Sequence, residues 1–407
     1  MRSAKIVEAL LAQLLLLTAA AAHAQDVPLP SWVRSAEVVS DLAVAYVMPD
    51  EHAARRGTLA IGTRLPVLAR VKGAGCGDFK FVQVGEQSFI CERELVWSKE
   101  PPAGRAQPVL ADNALLPLEY MFVTVDGTGG FARPSDYAGD DYSVVLGQDF
   151  GVVAAQRTVY EGVHFVRTQH GYYVRQSALR PAKASEFAGA TLSDGKLEGL
   201  GWIVGDHAQK RATPKAKPSG LLPRLTLVHV TASDSPVLLR LEDGTLVLAR
   251  DVARPRPATP PQGAAPDERW IDVDTQTQIL TVYQGSAPIF ATLVSTGLAS
   301  PVTETPKGEF RIWVKVTTSD MNDTEREDLD RNYSIESVPW VQYFHDSVAL
   351  HAVFWHERFG ERHSHGCVNL SPRDARTVFN LTKPVLPDGY YAILPTGKDV
   401  ATRIVVR

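Results

Sequence analysis

Residues 364–372 read Ser364-His365-Gly366-Cys367-Val368-Asn369-Leu370-Ser371-Pro372, and the chain continues Arg373-Asp374-Ala375-Arg376-Thr377-Val378-Phe379-Asn380-Leu381-Thr382. The second half of this stretch specifies a helix. Ser371 is an N-cap residue type, Pro372 suits the first helical position, and Asp374 falls in the first turn. Ala375, Val378, Phe379 and Thr382 then share one face, which is the face to be buried. The first half carries a thiol. A cysteine is nucleophilic only as thiolate, and an intrinsic pKa near ~8.5 leaves little thiolate at neutral pH. An imidazolium or a helix N-terminus beside the sulfur lowers that pKa, and Ser371 starts a helix four residues after Cys367. Gly366 lets the backbone approach a substrate carbonyl, and the N–H groups around Gly366 and Cys367 are oxyanion-hole donors.

A thiol nucleophile needs a base. His351 ends the apolar run Ser347-Val-Ala-Leu-His-Ala-Val-Phe, so a strand would present it from a rigid element, and a returning loop brings it to Cys367. His356, His363 and His365 lie between or beside these two. Four histidines and a cysteine are also zinc-ligand types, but no CxxC or HExxH spacing accompanies them, so the reading includes no metal and no cofactor.

Working outward, the sequence around this loop is strand-like. Trp270-Ile-Asp-Val-Asp-Thr-Gln-Thr-Gln-Ile-Leu-Thr-Val-Tyr alternates about a polar turn, as a hairpin does. Ile289-Phe-Ala-Thr-Leu-Val-Ser-Thr-Gly, Gly308-Glu-Phe-Arg-Ile-Trp-Val-Lys-Val and Tyr390-Tyr-Ala-Ile-Leu read as further strands. The expectation is a mainly β domain over 268–407 with a short helix after the Cys loop. The charge-rich stretch 321–331 reads as a loop or short helix, and it and 356–361 are candidate lid or acceptor-site loops.

Upstream, Arg254-Pro-Arg-Pro-Ala-Thr-Pro-Pro-Gln-Gly-Ala-Ala-Pro266 has no periodicity and reads as a semi-rigid linker over 254–267. Before it, one apolar spacing occurs three times: Phe81, Ile90, Leu95; Phe165, Val174, Leu179; Leu238, Val247, Val252. Gly85, Gly171 and Gly244 lie between the first two positions each time, which suggests a strand, a turn, a strand and a short final turn. The spacing divides the region into small β-barrel-like domains at 25–112 and 113–198 and a third such segment at 199–253.

Met-Arg-Ser-Ala-Lys, an apolar run over 6–22 and Ala22-His23-Ala24 together read as a signal peptide over 1–24. Glu8 and Gln13 interrupt the run, so it is a poor permanent membrane span. The mature chain is therefore expected outside the cytoplasm, in the periplasm or cell wall, with no membrane span after cleavage. A formal net charge of −4 lacks the basic excess of a nucleic-acid binder. In an oxidising compartment Cys76 and Cys91 are candidates for one disulfide, which leaves Cys367 as the odd thiol of three.

The stretch Ser364-His365-Gly366-Cys367-Val368-Asn369, preceded by His351, resembles the active-site signature of L,D-transpeptidases of the YkuD type. Ser295-Thr-Gly, Thr305-Pro-Lys-Gly-Glu-Phe310 and Val338-Pro-Trp340 followed by Tyr343-Phe agree with it. The resemblance implies a YkuD-like β-sandwich catalytic domain acting on the tetrapeptide stems of peptidoglycan. Cys367 would be the nucleophile and His351 the proton donor and acceptor, oriented by the backbone carbonyl of Ala352. His365 and Gly366 would shape the oxyanion site, and Ser364, Asn369, Trp340 and Tyr343 would contact substrate. The outcome would be a cysteine thioester resolved by an amine, giving a 3–3 crosslink or another amine adduct. Many members carry Arg where this chain has Asn369, which bears on substrate contacts and leaves the nucleophile and base untouched. The repeats resemble bacterial Src-homology-type barrels, which implies a glycan or peptide ligand or a spacer role. Two other functions fit the residues: L,D-carboxypeptidase or exchange activity through the same thioester, and a non-catalytic wall-binding protein.

Overall fold

The computed structural model describes residues 27–325 and 332–407; the signal-peptide reading lies outside them. Among the described residues no helix is long and apolar enough to cross a membrane. The chain divides into two compact units, Met1–Arg105 and Ala106–Arg407.

All three repeats have the same element order. In the first, strands Phe81–Gly85 and Ser88–Cys91 form a hairpin, a 3-10 turn Glu92–Glu94 follows, and strand Leu95–Ser98 continues the chain. The second runs Val163–Thr168, Tyr173–Arg175, Gln176–Ala178 and Leu179–Pro181. The third runs Leu238–Leu241, Leu246–Leu248, Ala249–Asp251 and Val252–Ala253. The nine apolar residues of the shared spacing all lie in strands and are all buried, on the inner face of the pleat. The turns differ in detail. Gly171 and Gly244 take positive φ, whereas in the first repeat the left-handed residue is Gln87 and not Gly85.

In the first unit Cys76 and Cys91 are disulfide-bonded, with Cα atoms 5.7 Å apart. They share a small core with Val71 and Phe81. A crosslink contributes most where so little apolar surface is available.

In the second unit two sheets enclose the main core. Arg269–Asp274, Ile279–Gln284 and Ala287–Leu293 form an antiparallel meander, with Asp274 opposite Ile279 at the expected hairpin turn. Arg403–Val406 lies parallel to the first of these and antiparallel to Gly308–Arg311. The other sheet contains Val314–Asn322, Ser334–His345, Val348–Ala352 and Val368–Leu370. Ile271, Leu280 and Val282 from one sheet meet Trp340, Leu350 and Val368 from the other. This mainly β sandwich carries one α-helix among the described residues, Pro372–Leu381, capped by Ser371 and burying Ala375, Val378 and Phe379. Lys315 Nζ donates to the carbonyls of Phe379 (2.6 Å) and Thr382 (3.1 Å), satisfying the helix C-terminus where water does not reach. The stretch 321–331 is strand at its start, since Met321 and Asn322 end Val314–Asn322; 326–331 lie outside the described residues.

Residues 106–198 are stitched into this sandwich. Gly151 pairs parallel with Ile335, and Val153 N–H donates to Glu336 Oε2 at 2.7 Å. The Tyr120 hydroxyl donates to the Ser337 carbonyl at 2.6 Å, and Phe354 packs against both Tyr120 and Phe122. Ala190–Thr191 pairs with Ala287–Leu293, where Gly189 N–H donates to the Asp374 carboxylate at 2.8 Å. The Pro-rich stretch is anchored as well, through a two-point ion pair from Arg256 to Asp274.

Candidate active site

The fifteen residues between His351 and Cys367 are a crossover. Val348–Ala352 and Val368–Leu370 are neighbouring parallel strands, with His351 opposite Asn369 and Ala352 opposite Leu370. Parallel neighbours cannot be joined by a tight turn and need a connection of about a dozen residues. The spacing that brings His351 and Cys367 to one place is thus the spacing of a parallel strand pair. Cys367 is the residue just before the second strand.

His351 is buried, and its Nδ1 lies 2.8 Å from the Ala352 carbonyl. A carbonyl only accepts, so Nδ1 carries the proton and Nε2 keeps a free lone pair. Burial pushes the pKa of His351 down to about 4, so the ring is neutral at physiological pH. The Trp355 ring stacks on it at 6.0 Å.

Cys367 is a free, half-buried thiol whose Sγ faces the Ser347 carbonyl at 3.8 Å. Burial pushes its pKa up to about 11. The helix start does not offset this. Strand Val368–Leu370 separates Cys367 from Ser371 by roughly 13 Å at ~3.3 Å per residue, and a helix terminus acts only within its first turn. Burial thus favours a neutral thiol at Cys367 and a neutral imidazole at His351.

Glycine is required at two points in the supporting loops. Gly366 has φ +130°, a region that side chains reject. A Cβ on Gly297 would collide with the Thr303 carbonyl. Gly297 N–H donates to Thr305 Oγ1 at 2.8 Å, and that hydroxyl donates to the Gly366 carbonyl at 2.8 Å. The Ser-Thr-Gly and Thr-Pro-Lys-Gly elements thus brace the peptide preceding the nucleophile. Ser364 Oγ accepts the Gly366 N–H at 3.2 Å and donates to the Cys367 carbonyl. The geometry makes Ser364 an organiser of the loop, and it engages one of the two backbone donors expected for an oxyanion.

His365 lines the cleft, with Nδ1 2.7 Å from the buried Asp323 carboxylate. Asn369 Nδ2 lies 3.1 Å from His356 Nε2, and Asn369 Oδ1 has no partner. His356 Nδ1 accepts the Arg358 N–H at 3.2 Å. Burial pushes the pKa of His356 down to about 3, so the ring is neutral and its proton is on Nε2. A half-turn of the amide lets Asn369 Oδ1 accept that proton.

Trp340 and Tyr343 are not in the cleft wall. Trp340 is a core residue, 3% exposed, because its strand turns the indole between the two sheets. The Tyr343 hydroxyl is bonded to Ser319 Oγ at 2.9 Å and its ring lies on Trp313. The 356–361 stretch is tied down, which is unlike a lid: Phe359 is fully buried and stacked on Phe187, and Arg224 donates twice to its carbonyl.

The cleft encloses ≈ 410 Å³ and is lined by Cys367, His351, His356, His363, Ser364, His365 and Asn369 on one side. Phe122, Gln148, Asp149 and Arg180 also line it, all from the segment ahead of the sandwich. Sequence reasoning passed over these four, since neither motif nor spacing connects them to Cys367. Asp323 was equally hidden, as a charged residue in a charge-rich loop.

Residues 268–406 match the model of the YkuD family, the L,D-transpeptidase catalytic domain, and this part of the chain is such a domain. Among solved structures the chain is similar to a mutant L,D-transpeptidase of Enterococcus faecium, at 20% identity and TM-score 0.26, over 34% of this chain and 50% of that one. It is similar to an L,D-transpeptidase of Stackebrandtia nassauensis at 26% identity and TM-score 0.24, over 35% and 57% of the two chains. With an L,D-transpeptidase of Mycobacterium smegmatis the identity is 16% and the TM-score 0.28, over 56% and 100%. The chain thus spans half the length of the Enterococcus protein. No curated protein sequence matches it.

Proposed function

We propose that the protein is an exported L,D-transpeptidase that acts on peptidoglycan tetrapeptide stems through a Cys367 thioester. The observation that carries this reading is the pairing of Cys367 with a neutral His351, both in one cleft, with His351 Nδ1 committed to the Ala352 carbonyl. As the stem carbonyl arrives, His351 Nε2 takes the thiol proton while Sγ bonds to the carbonyl carbon. The carbonyl oxygen becomes an oxyanion, stabilised by the Cys367 backbone N–H and a His365 ring donor. The C–N bond to the terminal D-residue then breaks, and His351 returns the proton to the departing amine. An amine from a neighbouring stem attacks the thioester, giving its proton to His351, which passes it back to Sγ. The product is a 3–3 crosslink and the thiol is regenerated.

The test is to incubate the full chain with defined tetrapeptide muropeptides and identify products by mass. Wild type should release the terminal residue and form crosslinked dimers, and intact-mass spectra should show the acyl adduct on Cys367. Cys367→Ala should form neither, with at least a thousandfold loss. Full activity in that variant would sink the mechanism.

A further inference from the structure

The last strand of the second repeat carries Arg180 into the cleft that holds Cys367. Leu179–Pro181 pairs antiparallel with Tyr120–Val123, and the register sets Arg180 opposite Phe122. The guanidinium lies over the Phe122 ring at 4.8 Å, and Nη2 donates to Asp149 Oδ1 at 3.0 Å. An aromatic face and one carboxylate hold the fork in a fixed plane. Among the described residues, Nε and Nη1 of Arg180 have no hydrogen-bond partner. Arg180 is also the one Lys or Arg among the described residues lining the cleft. His351, His356 and His363 on the facing wall are all held toward the neutral form by burial. Among the described residues, a carboxylate entering this space therefore meets a fixed, oriented guanidinium, and that group belongs to the segment ahead of the catalytic sandwich.

We propose that Arg180 is a specificity-determining residue that binds a side-chain carboxylate of the stem peptide, so that the 106–198 segment is one wall of the active site. This rests on the transpeptidase reading above, and it adds the subsite and its chemistry. The free N–H groups of the fork suit a second carboxylate, and the bound anion would align the stem across the cleft toward Sγ. The carboxylate can belong to the acyl donor or to the acceptor.

The experiment compares full-length wild type, Arg180→Ala and Arg180→Lys on two tetrapeptide stems, one with free side-chain carboxylates and one with these amidated. Donor and acceptor concentrations are varied in turn. Loss of a charge-assisted hydrogen bond should raise KM about tenfold to a hundredfold in Arg180→Ala, for whichever stem is bound, with kcat within about twofold. Arg180→Lys should recover part of the loss, and the amidated stem should give the same KM with wild type and Arg180→Ala. An unchanged KM on the free-carboxylate stem overturns the assignment, as does an equal rise on the amidated stem. A wild-type protein inert on both stems overturns the transpeptidase reading itself, a result distinct from either.

Discussion

The repeats at 81–98 and 163–181 share one order of strand, turn, strand, 3-10 turn and strand, and their surroundings treat them differently. The first packs Phe81 against Cys76 and Cys91 and is tied by their disulfide to the segment just before it. The second has no cysteine. Its neighbouring strands Tyr120–Val123 and Gly151–Tyr160 join the catalytic sheet at Ile335 and lean on Phe354. The same local plan is therefore crosslinked in one place and contributes Arg180 to the cleft that holds Cys367 in the other. A repeat specifies its own hairpin, and the partner that covers its remaining apolar surface settles what it is for.

Three perturbations separate these two cases, in falling order of effect. Phe354 is 1% exposed between Tyr120 and Trp355. Phe354→Ala should cost about 3–5 kcal/mol in the unit that contains it. Because Trp355 lines the cleft, turnover should fall along with the denaturation midpoint; a variant of unchanged midpoint would show that the second repeat is not held by this contact. Opening the disulfide with Cys76→Ser and Cys91→Ser should cost about 2–4 kcal/mol in the first unit. A double variant that melts like wild type would show that the crosslink carries none of that unit's stability. The smallest contrast is in the turns. Gly171 has φ +91°, whereas Gly85 has an ordinary backbone conformation, and a Cβ there would lie in normal contact with Ser88. Gly171→Ala should therefore cost about 1–2 kcal/mol more than Gly85→Ala. Equal melting shifts for the two would mean that the turns are alike in strain.

The parts of this molecule legible beforehand are those governed by short-range rules. The helix Pro372–Leu381 follows from Ser371, Pro372 and the spacing of Ala375, Val378 and Phe379, all within three turns of chain. The hairpin turn between Asp274 and Ile279 follows from alternation on either side of a polar stretch. Placing Trp340 at the substrate misread a strand whose two faces are both covered; in such a strand an aromatic residue carries no mark of which side is core. The expectation that the helix start activates Cys367 counted residues without their conformation. Four residues along an extended strand reach too far for the helix dipole.

The sequence by itself determined the helix after Cys367 and the threefold hairpin plan, and it singled out Cys367 and His351 as the candidate pair. Those follow from residue chemistry and from spacings of a few residues to a single crossover. Only the tertiary structure decided that Arg180 and Phe122 stand in the same cleft as Cys367, that Asp323 holds His365, and that burial keeps Cys367 and His351 neutral at rest. Arg180 reaches the cleft because Gly151 pairs with Ile335 across more than a third of the chain. Such a pairing is selected by the apolar surface it buries between distant segments, and no local pattern encodes its register.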